Sequence, residues 1–151
     1  MNTAIHRSSG GIVHRYNQEE HVSEILLLHR KRTKDNPKES WHLPKGTQEP
    51  DEKETETALR EIREETGYLV TIERKIGYLA STYVKDGQTV SKQTCYFACK
   101  PEKEITDEVQ EHDEREWVPL PEAVKLLHRF SVHEEENRIL TQWHRLFFND
   151  V

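Results

Sequence analysis

The stretch GTQEPDEKETETALREIREETGY, residues 46–68, decides the fold, because it combines a turn, a strong helix pattern and a helix stop. Asp51 and Glu54 form a capping-box-like pair, and acidic residues fill the first turn. Gly67 stands at the C′ position, where the backbone takes a positive φ that glycine adopts without steric cost. The stretch therefore predicts a helix that is capped by Asp51 and ends before Gly67.

Three carboxylates share one face of this helix. A helix advances ~100° per residue, so Glu61, Glu64 and Glu65 lie within reach of a common point. Their mutual repulsion costs roughly 0.2–0.5 kcal/mol per pair, and Arg60 and Arg63 offset part of it. A divalent cation such as Mg²⁺ would neutralise the rest, because hard ions take carboxylate oxygens and bridge to phosphates. A solvated acidic face is the alternative, since the chain has 28 Asp+Glu.

Strand patterns on both sides of the helix provide the surface on which it packs. Before it, residues 4–15 and 23–29 are predicted as strands, the second one buried on both faces because its apolar run is continuous. After it, residues 69–84 and 89–100 are strand-like and are joined by Asp86-Gly87, a strong hairpin signal. The residues of the helix expected to cover this sheet are Ala58, Leu59, Ile62 and Thr66.

The C-terminal part of the sequence predicts a short strand and two helices. Residues 116–120 have an extended pattern, and Pro121 stands at the head of a short helix. Residues 134–148 carry apolar side chains at helical spacing, which indicates packing on the core. Because strands and helices interleave and a hairpin is present, the sequence predicts an α/β fold with a mixed β-sheet flanked by helices.

Length and composition bound the function. The 151 residues, 33% of them hydrophobic, suit one domain over residues 1–151. The formal charge of -6 argues against a nucleic-acid binder that relies on overall basicity. No apolar stretch approaches the ~20 residues that span a bilayer, and the N-terminus lacks a signal-peptide core. Cys95 and Cys99, ~13 Å apart on a strand, predict neither a disulfide nor a zinc site. We expect a cytoplasmic protein without membrane or nucleic-acid partners, as a monomer or a homodimer.

Residues 46–68 resemble the signature of the Nudix hydrolase family, G-x5-E-x7-R-E-U-x-E-E-x-G-U, where U is a bulky apolar residue. The one departure is Tyr68 at the last U position, a mild one because Tyr is bulky and largely apolar. The resemblance implies an α/β/α sandwich in which a mixed β-sheet is flanked by helices. The matching residues are Gly46, Glu52, Arg60, Glu61, Ile62, Glu64, Glu65 and Gly67.

The resemblance also implies roles for these residues. Members of the family bind Mg²⁺ or Mn²⁺ and cut a phosphoanhydride in a nucleoside diphosphate linked to another moiety. Arg60 would orient a ligand carboxylate, and Glu52 would stabilise the loop before the helix. The catalytic residues would include Arg60, Glu61 and Glu64. The metal ligands implied are the carbonyl of Gly46 and the carboxylates of Glu61, Glu64 and Glu65. Phosphoryl transfer fits these residues, because it needs positioning and charge neutralisation above all.

Features outside the signature resemble the branch of bis(5′-nucleosyl)-tetraphosphatases. In that branch, an acidic residue in a Glu-His segment before a Trp supplies a further metal ligand or base, and Glu111 stands in such a segment ahead of Trp117. A solvated acidic loop is the alternative for Glu111. Arg30 and Lys45 could contact phosphates, and Tyr83 could stack on a base, although surface charge and edge packing explain them equally well.

The substrate expected from this resemblance is diadenosine tetraphosphate, cleaved to ATP and AMP. The sequence Trp-His-Leu-Pro-Lys-Gly before the signature, residues 41–46, and the position of Tyr83 after it favour this branch. One alternative is a nucleoside triphosphate pyrophosphohydrolase that clears damaged nucleotides, and inositol pyrophosphates are another option. A third reading is a Nudix-shaped binding domain without catalysis, which the intact Glu61, Glu64 and Glu65 disfavour.

Overall fold

A mixed β-sheet forms the centre of the molecule in a computed structural model that describes residues 4–35, 37–105, 114–130 and 136–148. The strands within these ranges are β1 (Ala4–Asn17), β2 (Val22–Arg30), β3 (Ser40–His42), β4 (Lys45–Thr47), β5 (Tyr68–Lys85), β6 (Gln88–Glu104) and β7 (Glu114–Pro119). The helices are α1 (Glu54–Thr66), α2 (Leu120–Phe130) and α3 (Glu136–Phe148). The predicted α/β fold with a mixed sheet is confirmed.

Strand β1 changes its partner along its length. Its residues 8–10 pair with β4, whereas its residues 14–17 pair with β2, both antiparallel. On its other side β1 runs parallel to β6 from Ala4↔Val90 to Val13↔Cys99. The change of partner brings β4 and the residues that follow it beside the middle of the sheet, where α1 begins.

Helices cover both faces of the sheet, which gives the three layers expected of an α/β/α sandwich. On one face, α1 contributes Ala58 and Ile62 to a buried cluster with Val13, Leu26 and Phe97. On the other face, α2 and α3 bury a larger cluster. Its members from these helices are Ala123, Leu127, Ile139, Leu140 and Trp143, and those from the strands include Ile12, Ile25, Leu27 and Tyr96. Within the described ranges, no helix has the length and apolar character needed to cross a membrane.

The hairpin and the end of α1 are as predicted. Lys85 pairs with Gln88, and both residues between them have positive φ, 53° at Asp86 and 77° at Gly87, as a two-residue turn requires. Gly67 has a φ of 74° and its N–H donates to the carbonyl of Arg63. The local signals therefore placed both chain reversals correctly.

The predicted cap of α1, Asp51, was wrong by two residues, because the cap is Lys53. The helix begins at Glu54, and the carboxylate of Glu56 accepts from the backbone N–H of Lys53 at 2.9 Å. Asp51 and Glu52 stay in the preceding turn, from which both carboxylate oxygens of Glu52 accept hydrogen bonds from side chains of the helix. The apolar arc also differs in one member, since Leu59 is 40% exposed and Thr57 is buried in its place.

Candidate active site

The carboxylate of Glu52 joins the loop before α1 to the helix itself. It accepts from Nε of Arg60 at 2.6 Å and from Nη2 at 2.8 Å, a bidentate pair. It also accepts from the hydroxyl of Thr57 and from the backbone N–H of Glu49, both at 2.9 Å. These bonds, the one from Arg60 above all, lower the pKa of Glu52 to about 2. The pair therefore stays charged and fixes the loop on the helix.

Arg60 contacts the acidic face as well as the loop. Its Nη1 donates to Glu61 at 2.8 Å and lies 3.3 Å from a carboxylate oxygen of Glu64. Its Nη2 also donates to the backbone carbonyl of Thr47 at 3.0 Å. The hydrogen bond with Glu52 is the largest cause that raises the pKa of Arg60 above its ordinary value. One guanidinium thus holds two of the predicted ligand carboxylates and the end of β4 in a fixed arrangement.

Glu61 lies directly against Gly46. A Cβ added at Gly46 would stand 2.0–2.5 Å from the carboxyl carbon and both oxygens of Glu61, far inside contact distance. Only a residue without a side chain allows this approach, and it brings the backbone of Gly46 next to the Glu61 carboxylate. Backbone and carboxylate oxygens are the ligands that Mg²⁺ takes in proteins.

Replacing Gly46 by Ala should lower kcat by about 10²-fold, because the added Cβ would push the Glu61 carboxylate out of place and a displacement of ~1 Å costs that much. The measurement is kcat at saturating substrate and Mg²⁺. Gly77→Ala is the control, since its Cβ would meet the end of the Gln142 side chain at 3.1 Å and Cδ1 of Ile139 at 3.5 Å, both at the flexible ends of side chains. Equal activity of the two variants would contradict this account of Gly46.

Glu65 and Lys45 connect α1 to β4 at the other end of the acidic face. Glu65 accepts from the backbone N–H of Lys45 at 2.7 Å. Burial is the largest cause that lowers the pKa of Lys45, and the positive charge of Lys92 on β6 is the next, so that this pKa falls to about 8. A positively charged rim therefore lies beside the carboxylates. Sequence reasoning missed Lys92, because only the parallel pairing of β1 with β6 brings it there.

A second residue that the sequence did not single out supports the segment before Gly46. Glu136, the first residue of α3, is 0% exposed, and its carboxylate accepts from the backbone N–H of Leu43 at 2.6 Å. It precedes Ile139 and Leu140 by three and four residues, so it belongs to the buried stripe of α3. That spacing is the signal that could have identified it.

The acidic face suits ions that keep water molecules. Among the described residues, a group of His, Cys, Asp or Glu side chains has all its ligand atoms within 4.8 Å of one another on β2 and β7. Within the same described ranges, the carboxylates of α1 do not form such a group. The carboxylates of Glu61, Glu64 and Glu65 are therefore spread over a wider face, where Arg60 and the Lys45 backbone hold them. Mg²⁺ fits such a face, because it retains several waters and takes one or two carboxylates with substrate phosphates.

The remaining predicted residues lie elsewhere. Arg30 is the exposed last residue of β2, opposite Ser40, and Tyr83 is 41% exposed on β5, opposite Val90 near the hairpin turn. Glu111 lies outside the described residues. Their roles in binding substrate or metal stay predictions, as do the catalytic and ligand roles of the residues on α1.

Known proteins resemble this chain in sequence. The chain is 33% identical over 105 residues, 69% of its length, to an 8-oxo-(d)GTP phosphatase of Mycolicibacterium smegmatis. It is 36% identical over 96 residues, 57% of its length, to the asymmetrical bis(5′-nucleosyl)-tetraphosphatase of mouse. The chain matches 30% of the length of the mycobacterial protein and 60% of the mouse protein.

Structural comparison and a family model extend the match over most of the chain. The crystal structure of a C. elegans Ap4A hydrolase binary complex superposes with a TM-score of 0.65 at 22% identity, covering 93% of this chain and 96% of that one. The similarity shows that the two share a fold. The family model of the NUDIX domain matches residues 5–143, a range that includes the whole signature and the elements around it. The chain belongs to the Nudix hydrolase family.

Proposed function

We propose that this protein hydrolyses a phosphoanhydride bond of a nucleoside diphosphate-linked substrate with Mg²⁺ or Mn²⁺, and that the substrate is diadenosine tetraphosphate. The observation that carries the proposal is the Arg60 network, which holds Glu61 and Glu64 beside Gly46. A lysine-rich rim, Lys45 and Lys92, adjoins it. Carboxylates that hold divalent cations, next to cationic side chains, suit a polyphosphate, because the cations and the lysines both attract its anionic oxygens.

Each residue has a task in this proposal. Glu61, Glu64, Glu65 and the Gly46 carbonyl hold the cations, and Arg60 keeps two of these carboxylates oriented. Bound divalent cations supply charge neutralisation for the phosphates and a more acidic attacking water. Lys45 and Lys92 bind the anionic bridge of the substrate. The oxygen of water bonds to a phosphorus near one adenosine, the adjacent P–O bond of the anhydride breaks, and a carboxylate of the site takes the proton.

Diadenosine tetraphosphate is favoured by two observations. One is the combination of residues 41–46 and Tyr83, and the other is the similarity to the mouse tetraphosphatase. The second candidate is a pyrophosphohydrolase for damaged nucleoside triphosphates, favoured by the similarity to the mycobacterial phosphatase over 69% of the chain. A third, a Nudix domain that binds without catalysis, is disfavoured because it has no need of the carboxylate face. Cys95 and Cys99 are free and buried, which agrees with action in the reducing cytoplasm.

A substrate panel tests the proposal. Purified protein with Mg²⁺ is incubated separately with diadenosine tetraphosphate, 8-oxo-dGTP, dGTP, ADP-ribose and an inositol pyrophosphate, and products are separated by chromatography. We expect the highest kcat/KM on diadenosine tetraphosphate and equal amounts of ATP and AMP, because attack occurs near one adenosine. Two ADP molecules, or a preference for 8-oxo-dGTP, would contradict the proposed substrate. No hydrolysis of any compound would favour the binding domain.

Glu111 gives a prediction that links the site to this substrate. Its carboxylate would complete the ligands for several cations on the long anionic bridge or take the proton from water. Glu111→Gln should therefore lower kcat on diadenosine tetraphosphate about ten-fold or more, whereas Glu122→Gln on α2 should have little effect. The comparison uses initial rates at saturating Mg²⁺, and wild-type activity of the Glu111 variant would remove Glu111 from the site.

A further inference from the structure

A second group of ligand-type side chains lies where β2, β3 and β7 meet. His29 on β2 pairs directly with Glu114 on β7, and Glu116 pairs with Leu27 two residues earlier on β2. Directly paired residues and every second residue project from the same face of a sheet, so the imidazole and both carboxylates share one face. That face is the one that carries Leu27 and the α2–α3 cluster, whereas α1 covers the opposite face.

The imidazole of His29 is held in one orientation. It stacks on Trp41 of β3, with ring centroids 3.9 Å apart and planes 8° from parallel. Its Nε2 lies 2.8 Å from a carboxylate oxygen of Glu39, and the indole N–H of Trp41 donates to the same oxygen at 3.2 Å. A carboxylate only accepts, so Nε2 carries the hydrogen. In the neutral ring, Nδ1 is then a bare lone pair.

The lone pair on Nδ1 of His29 lies near a carboxylate oxygen of Glu116, which is also an acceptor. His29 is only 9% exposed, and in the described part of the chain its buried Nδ1 has no hydrogen-bond partner. A carboxylate oxygen of Glu116 lies 3.5 Å from it. A charge-assisted hydrogen bond would close this distance to about 2.7–2.9 Å. Two ligands of one tetrahedral ion with bonds of ~2.1 Å stand about 3.4 Å apart, which is the spacing found here.

We propose that His29, Glu114 and Glu116 form a binding site for Zn²⁺ or a similar borderline divalent cation. The ligand atoms of the three side chains all lie within 4.8 Å of one another. Glu39 holds the other ring nitrogen, which is the arrangement that orients a metal-binding histidine. Glu114 is exposed and contacts Lys31 at 3.0 Å, so it can turn toward the ion without disturbing the core. The ion would fix the start of β7 on the end of β2, independently of the proposed hydrolysis.

Calorimetric titration with ZnCl₂ in excess Mg²⁺ tests this site, because Mg²⁺ fills oxygen sites but competes poorly for imidazole. The wild type should bind one Zn²⁺ that His29→Gln and Glu116→Gln weaken at least ten-fold. Glu116 is the second variant because its side chain is 44% exposed and its loss leaves the core intact. His14→Gln is the matched control, since His14 also faces one carboxylate, that of Glu73, and should bind zinc as the wild type does.

Nitrogen NMR of the histidine rings gives a second readout. Added Zn²⁺ should shift the Nδ1 resonance of His29 while its Nε2 stays protonated, with no such change at His14. Zinc binding that survives in both His29→Gln and Glu116→Gln would overturn the proposal. A His29 ring that carries hydrogens on both nitrogens at pH 7 and binds no zinc would also overturn the proposal. In that case the imidazolium itself would be the cation between the carboxylates.

Discussion

Glu64→Gln should lower kcat by about 10²-fold or more while the free energy of unfolding changes by less than about 0.5 kcal/mol. Its side chain is 38% exposed, and its ion pair with Arg60 is long, at 3.3 Å. The carboxylate therefore contributes little to the fold. Under the proposed function its charge is used on cation and substrate, and the amide of Gln keeps the shape without that charge. The measurement combines initial rates at several Mg²⁺ concentrations with urea unfolding.

Glu54→Gln is the matched control for this experiment. Glu54 lies on the same helix, but its carboxylate contacts Lys75 and Tyr78, both at 3.2 Å, on the side of β5. The control should retain wild-type kcat. If Glu64→Gln kept near-full activity at saturating Mg²⁺, Glu64 would be no part of the reaction, and a loss shared by Glu54→Gln would point to a general effect of helix charge.

Arg60→Ala should damage both stability and catalysis, and Arg60→Lys should recover little of either. The side chains of Arg60 and Glu52 are 25% and 16% exposed, so removal of the guanidinium leaves a largely buried carboxylate unpaired. We expect a loss of roughly 2–3 kcal/mol, less than for a fully buried pair because the pair is partly solvated. Lysine keeps the charge but has no planar fork for Glu52, Glu61 and the Thr47 carbonyl together.

Acid unfolding separates the structural part of this effect. The pKa of Glu52 falls from 4.5 to about 2 on folding, so its pair with Arg60 stabilises the protein fully above pH 4.5 and loses that effect as the pH falls toward about 2. Arg60→Lys should therefore reduce stability at pH 7 and flatten its dependence on pH between these values. Full recovery of activity and of the acid profile by lysine would show that charge alone matters at position 60.

The signature helix was predictable because its determinants are local. Glu61, Glu64 and Glu65 are separated by three and four residues within one helix, so spacing alone puts them on one face. The start of the helix was not predictable, because Glu52 could be either a residue of the helix or the partner of Arg60 in the loop before it. The competition depends on where Arg60 points, which the order of residue types does not encode.

The contacts that residues make with the site through the sheet or the core were not predictable. Lys92 comes next to Lys45 only because β1 pairs with β6, and Glu136 reaches Leu43 from a helix near the C-terminus. In the sequence, Lys92 has the pattern of an ordinary surface residue and Glu136 has a place on a buried helical stripe. Neither pattern indicates the partner of the residue. His29 was part of a predicted buried strand, yet its carboxylate neighbours come from β7 and from Glu39, the residue before β3.

The parallel pairing of β1 with β6 also governs when this site can form during synthesis. Ala4 pairs with Val90, so the first strand waits for 86 residues before its neighbour on that side leaves the ribosome. Non-local pairs of this kind give a high contact order and slow folding, because the chain loses loop entropy before the contact stabilises it. Helix α1 is made before β6 and has no complete sheet to cover at that time. We infer that the carboxylate face reaches its final geometry late, after the centre of the sheet has closed.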